Sequence, residues 1–253
     1  MIAVTRAVSD AIARCELTHV AREPIDLVRA RAEHRACEQA LESAGCEIVR
    51  VAPAHDLPDA VFVEDTAVVF DEVAIAMRPG AMSRRPEVPG VADVLSRYRD
   101  VLRIDAPGTI DGGDVLVAGK RVFIGRTSRT NDAAVAKMRQ ILEPIGYRVE
   151  GMDVTGCLHL KSAATALADD RLLINPAWIR REVFRGFDLV EIEPGEPYAA
   201  NIVRAGKALI YPAAFPRTRA KLERLGLGVT VVEMGELAKA EGAVTCCSLI
   251  FEA

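Results

Sequence analysis

The chain has 253 residues, 50% of them hydrophobic and 27% charged, with a formal net charge of −4 at pH 7. That length and apolar content support a sizeable core, and the charge gives no basic footprint for nucleic acid; a mildly acidic chain suits a cationic small molecule. No apolar run approaches the ~20 residues of a membrane span, and the opening MIAVTRAVSD lacks the basic and long apolar segments of a signal peptide, so a cytoplasmic location is expected.

In chain order, IAVTRA (2–7) reads as a strand. Residues 29–45 form an amphipathic helix stopped by Gly45, and CEIVRVA (46–52) is the strand after it. A strand–turn–strand follows at 66–77. A helix-like segment (91–100) and a strand (101–105) come next. The same order then recurs. A hairpin at 114–125 turns at Ala-Gly-Lys, a helix spans 131–146 with Asn131 or Thr130 as N-cap and Gly146 as stop, and a strand covers 147–154. A third hairpin (162–175) leads to the weakest helix of the set (178–187) and a strand (189–193). A fourth (201–212) leads to a helix from Pro216 to Gly226 and a strand (229–234). The terminal CCSLIFEA is left to pair with the first strand.

The hairpins begin near residues 66, 114, 162, 200 and 246, a spacing of about 40–50 residues that is characteristic of repeat architectures. The expected fold is therefore α/β, a pseudo-fivefold α/β-propeller of ββαβ-type repeats, with residues 1–253 as a single catalytic domain. Pairing the N- and C-terminal strands closes the ring and removes exposed sheet edges. A doubly wound sheet, the alternative, predicts single strands alternating with helices and not repeated hairpins.

A polar signature precedes each hairpin: Glu64 and Asp65, Asp111 and Asp114, His159, Asn201, and Cys246. Alone, each has an ordinary explanation. An Asp before a strand is often a turn former, a His between leucines a core residue, and a Cys a small apolar filler. At equivalent places in a repeat they converge on one axis. A thiol, an imidazole and carboxylates then suggest covalent catalysis. Extra carboxylates raise a thiol pKa, so they make sense if the substrate is a cation, and a planar guanidinium pairs well with them. The six cysteines, Cys15, Cys37, Cys46, Cys157, Cys246 and Cys247, are scattered and expected to be mostly reduced. Zinc is the competing use of Cys157, His159, Cys246 and Cys247. No CxxC pair supports it, so a structural zinc is not expected, and zinc is more plausible as an inhibitor than as a component.

The stretches LTHVAREPIDLVRA, LPDAVFVEDTAVV, RPGAMSRR, APGTIDGGDVL, GRTSRTN, LHLKSA and TCCSLIF, in this order along nearly the whole chain, resemble the dimethylarginine dimethylaminohydrolases of the guanidino-group-modifying superfamily. The resemblance implies a hydrolase that converts Nω-methylated arginine to citrulline and methylamines through a covalent thiouronium, without metal or organic cofactor. It assigns Cys246 as nucleophile, with Cys247 a neighbour, His159 as general acid and base, and Asp111 as the acid that orients it. It assigns substrate binding to Asp65 (guanidinium), Asp59 (α-amino side), the carboxylate-binding pair Arg84 and Arg129, and Leu17 of a lid loop. Glu64 joins them in a supporting part. Where the family often has glycine just before the lid's Leu-Thr, this chain has Glu16.

The partner implied is a small guanidino compound, with neither nucleic acid nor membrane. The sequence leaves oligomeric state open, a homodimer being one option. Rival functions are arginine deimination or hydrolysis of another guanidino or ureido compound by the same residues, an amidinotransferase, and a non-catalytic binding protein on the same ring.

Overall fold

A computed structural model describes residues 1–253. The chain opens with β1 (Ile2–Thr5), α1 (Leu27–Ser43) and β2 (Glu47–Arg50). The next unit is β3 (Ala67–Val69), β4 (Ala74–Ala76), α2 (Val88–Leu95) and β5 (Val101–Arg103). It is followed by β6 (Val115–Ala118), β7 (Arg121–Arg126), α3 (Asp132–Leu142) and β8 (Arg148–Asp153). The short α4 (Leu160–Ala163) precedes β9 (Ala164–Ala166), β10 (Arg171–Ile174) and β11 (Asp188–Glu191). The last elements are β12 (Val203–Ala205), β13 (Ala208–Pro212), α5 (Pro216–Arg224), β14 (Val229–Val232), α6 (Gly235–Ala238) and β15 (Leu249–Phe251).

These strands make five separate three-stranded sheets, ordered β15-β1-β2, β3-β4-β5, β6-β7-β8, β9-β10-β11 and β12-β13-β14. In each sheet the first pair is antiparallel and the second parallel. The ring is the expected pseudo-fivefold propeller. Its seam joins the chain ends, with Ile2 opposite Phe251, Ala3 opposite Ile250 and Val4 opposite Leu249. The first strand of every unit lines the axis, where residues of β3, β6, β9, β12 and β15 share one central channel.

Local chemistry explains the helix ends. Asp26 caps α1 by accepting from the Val28 and Arg29 amides, and Asn131 caps α3 by accepting from the Ala134 amide. Two segments differ from expectation. The helix of the second unit starts at Val88 and ends at Leu95, because a tight 3-10 turn over Met82–Glu87 leads straight into it. The weak helix at 178–187 is only a 3-10 turn over Arg181–Phe184. Trp178 there stacks edge-on against Tyr198 with ring centroids 5.1 Å apart, and Gly186 adopts φ +90°, so the segment is held across the surface and broken before a second turn forms.

Apolar wedges fill the spaces between neighbouring sheets. Phe123 of β7 is fully buried, with its ring edge-on to Phe184 and Phe187 at 4.7 and 5.7 Å. Burying such a ring contributes on the order of 1.5–3 kcal/mol. The axial positions ahead of the inner strands are thereby held by the apolar clusters packed around the ring.

Candidate active site

The turn before each inner strand is the part of the repeat that carries the chemistry. Asp65 lies in a 3-10 turn (Val63–Thr66) ahead of β3. Asp111 leads the turn Gly112–Asp114 ahead of β6, and His159 leads α4 ahead of β9. Cys246 lies in the turn Thr245–Cys247 ahead of β15. Four units so deliver four side chains to one end of the axis, across gaps of sequence that no local motif spans.

His159 is nearly enclosed. Its Nε2 lies 3.0 Å from Asp111 Oδ2 and its Nδ1 3.7 Å from Asp65 Oδ1. Burial works against the imidazolium, yet the Asp65 charge and the Asp111 hydrogen bond outweigh it and hold His159 up at about 9. Asp65 is the complement. Burial favours its neutral form, but the charges of His159 and Arg84 hold it down at about 2. At neutral pH the pair is an imidazolium between carboxylates, poised to donate a proton.

Cys246 is partly exposed, whereas the other five cysteines are buried and none is bridged. The Ala243 amide donates to its Sγ at 3.3 Å. Burial and the charges of Glu64 and Asp65 push this thiol up. Cys247 turns into an apolar cluster with Cys37, Val244 and Leu237, and burial raises its thiol well above the usual range. Only the first cysteine of the pair meets the cavity.

Gly113 explains the double glycine of the Asp-Gly-Gly-Asp stretch. A Cβ there would sit 2.6 Å from His159 Nδ1 and 2.7 Å from Asp65 Oδ1. The Gly113 amide also donates to Asp65 Oδ1 at 3.0 Å. Gly113→Ala is expected to push the imidazole off its position and lower kcat by about 10²-fold, the scale of a 1 Å misplacement. Steady-state kinetics on the folded variant check it.

One narrow cavity is lined by Glu16, Asp59, Asp65, Arg84, Arg129 and Glu241, together with Phe62, Leu158, His159, Ala240 and Cys246. Of the residues read from the sequence, Asp59, Asp65, Arg84, Arg129, His159 and Cys246 meet here. Asp111 stands behind His159. Glu64 lies below the cavity, paired with Lys161 at 2.7 Å. Leu17 packs against the apolar cluster beside Cys246, and the lid residue that reaches the cavity wall is Glu16.

The two arginines differ. Arg84 is bonded to Asp65, to Glu87 at 2.9 Å, and to the Asp59 and Phe62 carbonyls, so its fork is already occupied. Arg129 is less committed, donating to Thr18 Oγ1 at 3.2 Å and lying 3.9 Å from Asp111. Asp59 accepts from the Glu16 amide at 3.1 Å, and burial raises its pKa against the pull of Arg84.

The lid is shut. Glu241 accepts from the Thr18 and His19 amides, each at 2.6 Å, Ser83 bonds to Glu16, and Arg22 donates to the Ala13 and Cys15 carbonyls. Glu241 itself sits at φ +56°, a conformation that side chains rarely adopt outside functional or strained turns.

Of three supporting residues, Asp114 belongs to the polar signature read from the sequence, and Glu87 and Glu241 were not read from it. Buried Asp114 accepts from Thr127, Thr130 and the Leu160 amide, fixing the residue after His159, and burial raises it to about 6. Glu87 balances Arg84 and is raised to about 7 by burial, against the pull of Arg84. Glu241 latches the lid. The Asp-Gly-Gly-Asp stretch contained a signal for Asp114; Glu87 and Glu241 sit in stretches with no local signature. The metal-like grouping also differs from the cysteine-based one, since the atoms that lie within 4.8 Å of one another belong to Asp65, Asp111 and His159. Such a set could take a divalent cation at the expense of the imidazole proton.

No family model matches the chain. It is 41% identical over 249 residues, 98% of this chain and 95% of the relative, to the Streptomyces coelicolor N(G),N(G)-dimethylarginine dimethylaminohydrolase. The chain belongs to the dimethylarginine dimethylaminohydrolase family. Two solved structures agree with it in three dimensions. A cysteine-to-serine variant of the Pseudomonas aeruginosa dimethylarginine dimethylaminohydrolase complexed with citrulline superposes with a TM-score of 0.94 at 34% identity, covering 98% of both chains. A histidine-to-glycine variant of a dimethylarginine dimethylaminohydrolase, captured as an adduct with S-methyl-L-thiocitrulline, gives 0.93 at 33% identity with the same coverage. No helix of this family member is long and apolar enough to cross a membrane.

Proposed function

We infer that the chain hydrolyses Nω-methylated L-arginine, asymmetric dimethylarginine and monomethylarginine, to L-citrulline and the methylamine. The observation that carries the reading is a partly exposed thiol, Cys246, in one narrow cavity with a His159 imidazolium held between two carboxylates. Membership of the family supplies the substrate class.

The free cavity opposes a thiolate, because Glu64 and Asp65 face Cys246. A bound guanidinium beside Asp65 reverses that field, so the thiol gives up its proton to solvent as substrate arrives. The thiolate then attacks the guanidinium carbon, forming a C–S bond, and the Ala243 amide favours the charged sulfur. His159 gives its proton to the departing methylamine as the C–N bond breaks, leaving a thiouronium on Cys246. Neutral His159 takes a proton from water, whose oxygen attacks the same carbon. As the C–S bond breaks, the sulfur leaves as the thiolate and the proton of the added hydroxyl passes to solvent, releasing neutral citrulline with His159 again an imidazolium. Asp111 and Asp65 hold the imidazole in place throughout.

At the far end of the substrate, Asp59 and Glu16 suit the α-amino group and Arg129 the α-carboxylate. Arg84 reaches that carboxylate only by exchanging one of its present bonds. Leu17 braces the lid through the apolar cluster beside Cys246. The reading takes residues 1–253 as one catalytic domain of a cytoplasmic protein.

The test is citrulline release from asymmetric dimethylarginine and, in parallel, from arginine. A methyl group changes binding by about 1–3 kcal/mol, so the expected preference for the methylated substrate in kcat/KM is about 10–200-fold. Preference for arginine would retain the chemistry and make the enzyme a deiminase. No turnover of either would sink the reading.

A further inference from the structure

Asn201 is the one repeat signature that the chemistry above leaves without a part. It stands just before β12, the place from which the neighbouring units deliver His159 and Cys246, and it is buried. Its side chain makes three hydrogen bonds. Oδ1 accepts from the Thr245 amide at 3.1 Å, and Nδ2 donates to Thr245 Oγ1 and to the Lys161 carbonyl, each at 3.0 Å.

Those partners adjoin the catalytic groups in sequence. Thr245 precedes Cys246, and Lys161 follows His159 by two positions. Glu64, which precedes Asp65, completes a closed circuit by accepting from Thr245 Oγ1 and from Lys161 Nζ, each at 2.7 Å. Glu64, Thr245, Asn201 and Lys161 come from four different units. Glu64, Lys161 and Thr245 line the central channel, while Asp65, His159 and Cys246 line the substrate cavity on the other side. The circuit is thus a polar layer beneath the reacting groups.

An amide is the group this position requires. It presents one acceptor and two donors in a plane, and all three are used. Aspartate keeps the acceptor but loses both donors and adds a third carboxylate near the thiol. An apolar residue leaves the buried Thr245 amide unpaired.

We propose that Asn201 is a positioning residue that ties the turn of Cys246 to the segment of His159 and so sets the thiol–imidazole geometry. The proposal rests on Cys246 and His159 acting as described above. Losing Asn201 frees the Thr245–Cys247 turn, and with it the alignment of the Ala243 amide on Sγ.

The test compares Asn201→Ala, Thr245→Val and Thr245→Ser with wild type, each first confirmed folded by circular dichroism and thermal melting. Expected for Asn201→Ala and Thr245→Val is a kcat loss of about 10²-fold with KM changed by less than about threefold, the pattern of disturbed alignment and not of lost substrate binding. Alkylation of Cys246 by iodoacetamide, followed by peptide mass spectrometry, is expected to slow by about fivefold or more at fixed pH as the thiolate loses its fixed amide donor. Thr245→Ser restores the hydroxyl and is expected to recover most of both losses.

A merely structural role would lower the melting temperature while leaving kcat and alkylation of the folded protein unchanged, and would overturn the proposal. A rise in KM at constant kcat would overturn it too. If wild type releases no citrulline from any guanidino substrate while Asn201→Ala still slows alkylation, the functional reading fails and the positioning role stands.

Discussion

Cys246→Ser is expected to lower kcat by about 10⁴-fold or more, with the fold intact and substrate still bound, since removal of an activated nucleophile costs the full advantage of covalent catalysis. Ser keeps the shape of the side chain and its hydrogen bond from the Ala243 amide. It cannot form an anion at neutral pH even beside a bound guanidinium. Cys247→Ser, by contrast, exchanges one small buried group for another, and its effect is expected on stability, by about 1–2 kcal/mol, with kcat within about threefold of wild type. The free enzyme supplies a further check. Because burial, Glu64 and Asp65 push the Cys246 thiol up, its alkylation by iodoacetamide is expected to rise with pH through 9 without a plateau. A saturating guanidinium analogue that does not itself react lowers that pKa. A plateau below pH 8 in the free enzyme would mean that the thiolate forms without substrate. Full turnover by Cys246→Ser would remove the nucleophile assignment outright.

The ring was legible in the sequence because its evidence is repetitive. Five hairpins each leave a polar group just ahead of an inner strand, and Asp65, Asp111, His159 and Cys246 stand where that pattern puts them. What was not legible is everything that depends on orientation. Arg84 and Arg129 look alike in sequence, yet one is locked by Asp65 and Glu87 and the other lies beside the lid. Leu17 and Glu16 are adjacent, and the backbone direction alone sends Glu16 to the cavity and Leu17 to the apolar cluster. Glu241 latches a loop more than two hundred positions away, a pairing that no periodicity encodes. The helix expected at 178–187 failed for a related reason: Trp178 has a tertiary partner, Tyr198, that outcompetes local helix propensity. Gly113 lies between the two classes. Its presence was plain, but its purpose, room for an imidazole and a carboxylate, exists only in three dimensions.

His159→Gly is expected to separate the two halves of the reaction. In the wild type the residue is an imidazolium at neutral pH, held up at about 9 because Asp65 and Asp111 outweigh its burial. That state suits the first half, in which methylamine must leave as a neutral amine and needs a proton. The second half needs the neutral base, which the first half generates by giving the proton away. Without the imidazole the leaving amine must find its proton in solvent, and water must attack unassisted. Overall kcat is expected to fall by about 10³–10⁴-fold, within reach of the combined loss of acid and base assistance. A substrate analogue whose leaving group departs without a proton, such as a thiolate, bypasses the first requirement and not the second. It should therefore load Cys246 and stall, and intact-mass spectrometry should show the adduct accumulating where wild type shows none. The lost imidazolium also removes one positive charge from between Asp65 and Asp111, so exogenous imidazole, small enough for the space vacated, is expected to restore part of the turnover. Rapid clearance of the adduct by His159→Gly would move the role of general base to another group.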